Sequence, residues 1–167
     1  KASETLTVAT KVVLPNDTNT HGNLFGCQLL AWMDVTAAVS AQRHSRRVVV
    51  TASVNNVSFG KPIKEASIVT LEAKVSRAFN SSMEVFIDVY VENQTSGKKV
   101  KRNEAIYTFV AVDQNGGPIK VPELIPETEE EKERFAGALR RKQLSLILAG
   151  KMKPNEATEL KKLFMEA

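Results

Sequence analysis

The chain predicts an α+β fold in which an antiparallel sheet packs against one long helix. Two patterns point there. Residues 24–41 are an apolar stretch of helical length, with Leu24, Phe25, Leu29, Leu30, Trp32, Met33, Ala37 and Ala38 covering nearly the whole circumference. Such a helix is expected to be buried on most sides. Behind it lie segments of period-two alternation separated by short polar loops, the pattern of strands joined by hairpins. At 167 residues the chain can enclose a core of its own. It reads as a main domain over 1–125 and a helical extension over 126–167.

The elements follow in order. Residues 5–14 alternate, with Leu6, Val8, Val12 and Leu14 on one face, which predicts a half-buried strand on that face. Pro15-Asn16-Asp17 ends it. The long helix runs over about 24–42 and closes in Arg43-His44-Ser45-Arg46-Arg47, where basic side chains complement the helix dipole. In the next strand, 48–59, Val48, Val50, Ala52 and Val54 share one parity while Val57 and Phe59 take the other. A bulge near Asn55-Asn56 would reconcile the two halves. Strands over 67–76 and 83–91 alternate cleanly. The Asn93–Gly97 loop then leads to a long strand near 98–112, nearly all apolar from Ala105. From Pro126 the composition turns charged: Glu127-Thr-Glu-Glu-Glu-Lys-Glu133 opens a helix with Thr128 as its cap. A short last helix is predicted at about 155–166. One sheet covers only one side of the central helix, so the other side is expected to meet a second copy of the chain.

The net charge of +4 is modest and suits recruitment of an anionic small molecule. No basic run is interleaved with aromatics, so no nucleic-acid partner is expected. No apolar run reaches 18 residues and no signal peptide is evident, so neither a membrane span nor export is expected. The single cysteine, Cys27, excludes an internal disulfide and suits a reducing cytoplasm. With two histidines beside it, it cannot furnish a zinc site.

Asp34 is the first candidate for chemistry, because an ionised carboxylate inside an apolar helix is costly unless it is paired, hydrogen-bonded or facing a cavity. Its helical face also carries Asn23, Cys27, Leu30, Ala38 and Ala41, mostly small side chains that leave room for a substrate. It suits a general base or a nucleophile; the competing reading is an acid satisfied by backbone or by an interface arginine. Asn19 offers both a donor and an acceptor, or is a plain turn residue. Gly26 at the helix start lets a carbonyl approach backbone N–H groups, or simply eases a tight entry. His21 reads as a loop builder, with a proton donor or positioning group as the competing reading, Cys27 as a small buried thiol and His44 as solvated surface.

Asn19-x-His-Gly-x-x-Phe-Gly26, the helix carrying Met33-Asp34, Val50-Thr-Ala-Ser-Val54 and the Val121–Lys132 segment, taken together and in this order, resemble the hot-dog-fold acyl-CoA thioesterases. The likeness is strongest to bacterial short- and medium-chain hydrolases and the mammalian brain-type acyl-CoA hydrolase, and it spans roughly residues 5–135. The resemblance implies a sheet wrapped around the central helix and hydrolysis of acyl-CoA to free acid and CoA, with no cofactor or metal. It implies a homodimer at minimum, often a trimer of dimers, with the active site at the dimer interface. Carried over, the catalytic carboxylate falls on Asp34, its asparagine on Asn19 of the opposite subunit, and the helix-start glycine on Gly26. Cys27 stands where the family commonly has a second glycine. For CoA the candidates are Arg77, Asn80, Ser81 and Ser82 in a turn that the family shares, with Lys61, Lys64, Lys101 and Arg102 as further cations. A non-catalytic acyl-CoA-binding module on the same fold is the alternative.

Overall fold

The computed structural model describes residues 1–165. Five antiparallel strands, β1 (Thr7–Val12), β2 (Val48–Asn55), β3 (Ile68–Ala78), β4 (Ser82–Glu92) and β5 (Lys99–Val112), form one sheet in the order β1-β3-β4-β5-β2. Helix α1 (Gly26–Ser45) touches all five, so the sheet curls around it. Helices α2 (Glu129–Leu148) and α3 (Thr158–Met165) follow; the remainder of the predicted last helix, residue 166, lies outside the described residues.

Period-two alternation determines the inner face. Val69, Leu71, Ala73 and Val75 of β3, Met83, Val85, Ile87 and Val89 of β4, and Ala105, Tyr107, Phe109 and Ala111 of β5 are all buried beneath α1. The helix presents Leu29, Met33, Ala37 and Ala41 to them at spacings of four, one stripe of an amphipathic helix. It is not buried all round as expected. Val35 is 66% exposed and Val39 37% on the opposite side, because a single sheet reaches only one side of a helix. Arg46 stops α1 in a left-handed conformation (φ 56°), its N–H donating to the Gln42 carbonyl.

Two edge-strand expectations are corrected. In β1 the residues predicted to face inward point out: Leu6, Val8, Val12 and Leu14 are all exposed, while Thr7 and Val13 are buried. Directly opposed residues share a face, and β1 sets Thr7 against Ala73 and Ala9 against Leu71. That register turns the apolar parity outward. In β2 the bulge falls between Thr51 and Ser53, not near Asn55. Val49, Thr51 and then Val54 oppose the inward residues Ala111, Phe109 and Tyr107, so the extra residue reverses the parity at Ala52. Asn56 then takes a positive φ of 53° and ends the strand before Val57.

The charged extension packs on the sheet's outer face. Thr128 caps α2 as expected: its hydroxyl accepts from the Glu131 N–H at 3.1 Å and the Glu131 carboxylate accepts from the Thr128 N–H at 3.2 Å. Glu131 also takes Lys74 of β3 at 3.0 Å. Further along, Arg134 meets Asp88 at 2.9 Å and lies 4.0 Å over the Phe86 ring. Arg141 grips Glu84 with two bonds, at 2.9 and 2.7 Å. Polar composition and burial are reconciled by pairing.

Candidate active site

The segment entering α1 is tied to its surroundings by backbone bonds: Leu24 N–H donates to the Ile63 carbonyl at 2.7 Å and Phe25 N–H to that of Asp17 at 2.9 Å. Asn19 builds the preceding turn with its side-chain oxygen, which accepts from the N–H groups of His21 (2.9 Å) and Asn23 (3.2 Å). Phe25 precedes the helix and offers it no side-chain cap. The N–H groups of the first turn therefore point to whatever binds beside them. Beside them lies a cavity of about 240 Å³, lined by Asn19, Asn23, Gly26, Leu29, Phe59 and Lys61 among others. A Cβ on Gly26 would stand 3.2 Å from the Phe59 ring, so a bare backbone keeps this wall open.

Asp34 is not in that cavity. It lies eight residues further along α1, about 12 Å along the axis at 1.5 Å per residue. Its Oδ1 accepts from the Thr51 hydroxyl at 2.7 Å, and no ion pair holds it among the described residues. Thr51 escapes the sequence reading, because parity with Val48 and Val50 puts it on the other face; only the bulge turns it toward α1. Its one signal is a hydroxyl inside the apolar run 48–54.

Tyr107 is a second neighbour that the sequence does not announce. Its side chain is buried and its OH donates to the Leu30 carbonyl, one turn before Asp34, at 2.9 Å. Burial, and secondarily the Asp34 carboxylate, push its pKa up to about 12. The fold therefore favours the protonated phenol: this contribution is complete below the ordinary value of about 10 and drains away between about 10 and about 12. In an alkaline titration of tyrosinate absorbance, Tyr107 is expected to ionise only in that window, together with loss of the far-ultraviolet circular dichroism signal. Tyr107→Phe should remove that late phase. Burial raises the pKa of Tyr90 as well, so the phase that Tyr107→Phe removes identifies Tyr107, and its ionisation near pH 10 in a folded protein would refute this.

The other candidates are spread over the molecule. Lys61 lines the cavity and Lys64 is exposed beside it, bridged to Asn23. Asn80 and Ser81 form the β3–β4 turn, closed by Phe79 N–H donating to the Ser82 carbonyl at 2.8 Å. Ser82 borders an outer-face groove of about 460 Å³ between the sheet and α2. Arg77 is engaged with α2: it donates to the Phe135 carbonyl at 3.1 Å and lies 4.1 Å over the Phe135 ring, and burial lowers its pKa. Lys101 pairs with Asp88 and Glu104, both at 2.7 Å, and Arg102 is half-buried on the same strand. His44 is not free surface, since its Nε2 bonds the Pro122 carbonyl at 2.7 Å. Cys27 is exposed, not a buried thiol, because this side of α1 faces away from the sheet.

The model of the thioesterase superfamily matches residues 21–98. The acyl-CoA thioester hydrolase YkhA of Bacillus subtilis, itself uncharacterised, is 46% identical over 128 residues, covering 77% of this chain and 74% of the relative. The chain belongs to the thioesterase superfamily. The mammalian relatives of this superfamily member are longer, and it spans 24% of mouse acyl-coenzyme A thioesterase 11. A hexameric acyl-CoA thioesterase without ligand superimposes with a TM-score of 0.85 at 37% identity, over 89% of this chain and 95% of the other. The acyl-CoA hydrolase of Staphylococcus aureus, solved with butyryl-CoA and CoA, superimposes at 0.83 with 36% identity over 90% and 93%. Alanine variants of that hydrolase at an aspartate, a threonine and an asparagine have the same fold. In that enzyme the aspartate stands 15 residues after the asparagine and 17 before the threonine. Asp34 stands at those same spacings from Asn19 and Thr51. The sheet wrapped around α1 is the hot-dog fold.

Proposed function

We propose that the protein hydrolyses the thioester of acyl-CoA to free acid and CoA, in a site assembled between two copies of the chain. The observation that carries this reading is the separation of its two halves. Within one chain the helix start at Gly26 and the carboxylate of Asp34 are about 12 Å apart along the helix, too far to act on one carbonyl. A second copy set against the exposed side of α1 supplies the missing half. The exposed apolar side chains Val35 and Val39 on that side of α1 suit a face that another copy covers.

In this arrangement the thioester oxygen sits at the first-turn N–H groups around Gly26, where the helix dipole favours the developing negative charge. Asp34 of the other subunit drives the attack, either by taking a proton from water or by adding its own oxygen for water to release later. The C–S bond then breaks and CoA leaves as its thiolate. Thr51 occupies one Asp34 oxygen and leaves the other for the reaction. Asn19, whose oxygen is committed to its turn, has its amide N–H groups for water or substrate. Asn80, Ser81, Ser82, Lys61 and Lys64 are the proposed CoA contacts. Three such dimers form the proposed hexamer, in a cytoplasmic setting that suits the exposed Cys27.

Thiol release from a chain-length series of acyl-CoAs tests the proposal, with the mass in solution measured on the same sample. Release of CoA by a dimer or hexamer is expected. Tight binding of acyl-CoA without thiol release would instead identify a non-catalytic acyl-CoA-binding module.

A further inference from the structure

One buried polar group has no role in the chemistry above. Asn103 is on the inner face of β5, in line with Ala105 and Tyr107 and opposite Val89. Its residue is 5% exposed, and its Oδ1 has no hydrogen-bond partner among the described residues. Leaving such a group unpaired costs about 1–3 kcal/mol. Its neighbours along that inner row are apolar, so a hydrocarbon side chain would pack there without this cost.

The placement of Asn103 gives the cost a purpose. It lines the cavity beside Gly26. Two other walls, Leu29 and Ile63, are 2% and 5% exposed, whereas Phe59 at the rim is 53% exposed. The cavity is thus open at one end and closed at the sheet. CoA is long and must leave through the open end, so the closed end belongs to the acyl group. At about 240 Å³ the space is below the range typical of drug-sized ligands and suits a chain of a few carbons.

We propose that Asn103 makes the protein selective for short acyl groups that carry a hydroxyl, which becomes the missing hydrogen-bond partner at the closed end of the cavity. A hydroxyl pairs with whichever end of the carboxamide a turn of the side chain presents to the cavity, donating to the oxygen or accepting from the amide N–H. An unsubstituted chain of equal length leaves the carboxamide buried and unsatisfied. This inference rests on the thioesterase reading and names the substrate class of that same site.

The experiment measures kcat/KM by thiol release for butyryl-CoA, 3-hydroxybutyryl-CoA and 4-hydroxybutyryl-CoA. At least one hydroxybutyryl thioester is expected to exceed butyryl-CoA by about tenfold, as one satisfied buried hydrogen bond implies. Asn103→Leu should abolish or invert that preference, and Asn103→Ser, which puts a shorter hydroxyl in place of the carboxamide, should keep part of it. A wild-type ratio near one overturns the inference whether or not the variants fold. So does an Asn103→Leu protein that lowers all three substrates equally, the behaviour of a carboxamide that merely holds water. Hydrolysis of no acyl-CoA in the chain-length series removes the thioesterase reading, and this inference with it; hydrolysis of longer acyl-CoAs but none of these three, or of all three at one rate, removes this inference alone.

Discussion

Asp34→Ala is expected to lower kcat/KM for acyl-CoA by roughly two to four orders of magnitude, the usual contribution of a positioned acid or base. The fold should survive. Asp34 has one side-chain bond, to Thr51, and no buried ion pair that truncation would leave unbalanced. Asp34→Asn sharpens the test, because an amide oxygen still accepts from Thr51 while charge and basicity are gone. Its rate should fall nearly as far as that of the alanine variant. It should also remove the smaller of the two causes that hold Tyr107 up, so the tyrosine titrates lower in that variant. Thr51→Ala leaves the carboxylate but frees its orientation, and a loss of about tenfold is expected from one charge-assisted bond. Oligomer mass and circular dichroism should match the wild type in all three. Turnover by Asp34→Ala equal to wild type would remove this residue from the mechanism.

Arg141→Ala is expected to have the largest effect on stability. It would strip Glu84, whose side chain is 6% exposed, of both guanidinium bonds and leave only the 2.6 Å bond from Ser76. Breaking a buried pair from one side costs about 3 kcal/mol or more. For a chain of this size that lowers Tm by roughly 6–12 °C. Glu84→Leu combined with Arg141→Leu should recover most of the loss, since two packed hydrocarbons avoid the desolvation that the ions incur. The comparison requires a fixed protein concentration, because assembly itself shifts Tm. An unchanged Tm for Arg141→Ala would mean that α2 does not hold to the sheet through this pair.

Much of the fold was legible because local chemistry specifies it. Strands β3, β4 and β5 lie within two residues of where alternation puts them, and the Thr128 cap marks the start of α2. Misreadings cluster where one residue changes a face. Alternation in β1 identifies two faces without saying which one α1 covers; pairing with β3 decides that. One extra residue at Ala52 reverses the parity of β2 and turns Thr51 toward Asp34. Where the charged extension docks is not legible, because the carboxylate partners of its arginines, Glu84 and Asp88, are more than 40 residues away along the chain.

The order of elements, the single carboxylate in an apolar helix and the helix-start glycine all come from residue types and spacings, which act over a few neighbours. What Asp34 touches, which wall of the Gly26 cavity carries an unpaired amide and why a polar helix docks on a sheet depend on contacts between distant segments. Hydrophobic pattern constrains the faces of each element. Only the register between elements decides which polar groups finish with partners and which remain open for a substrate.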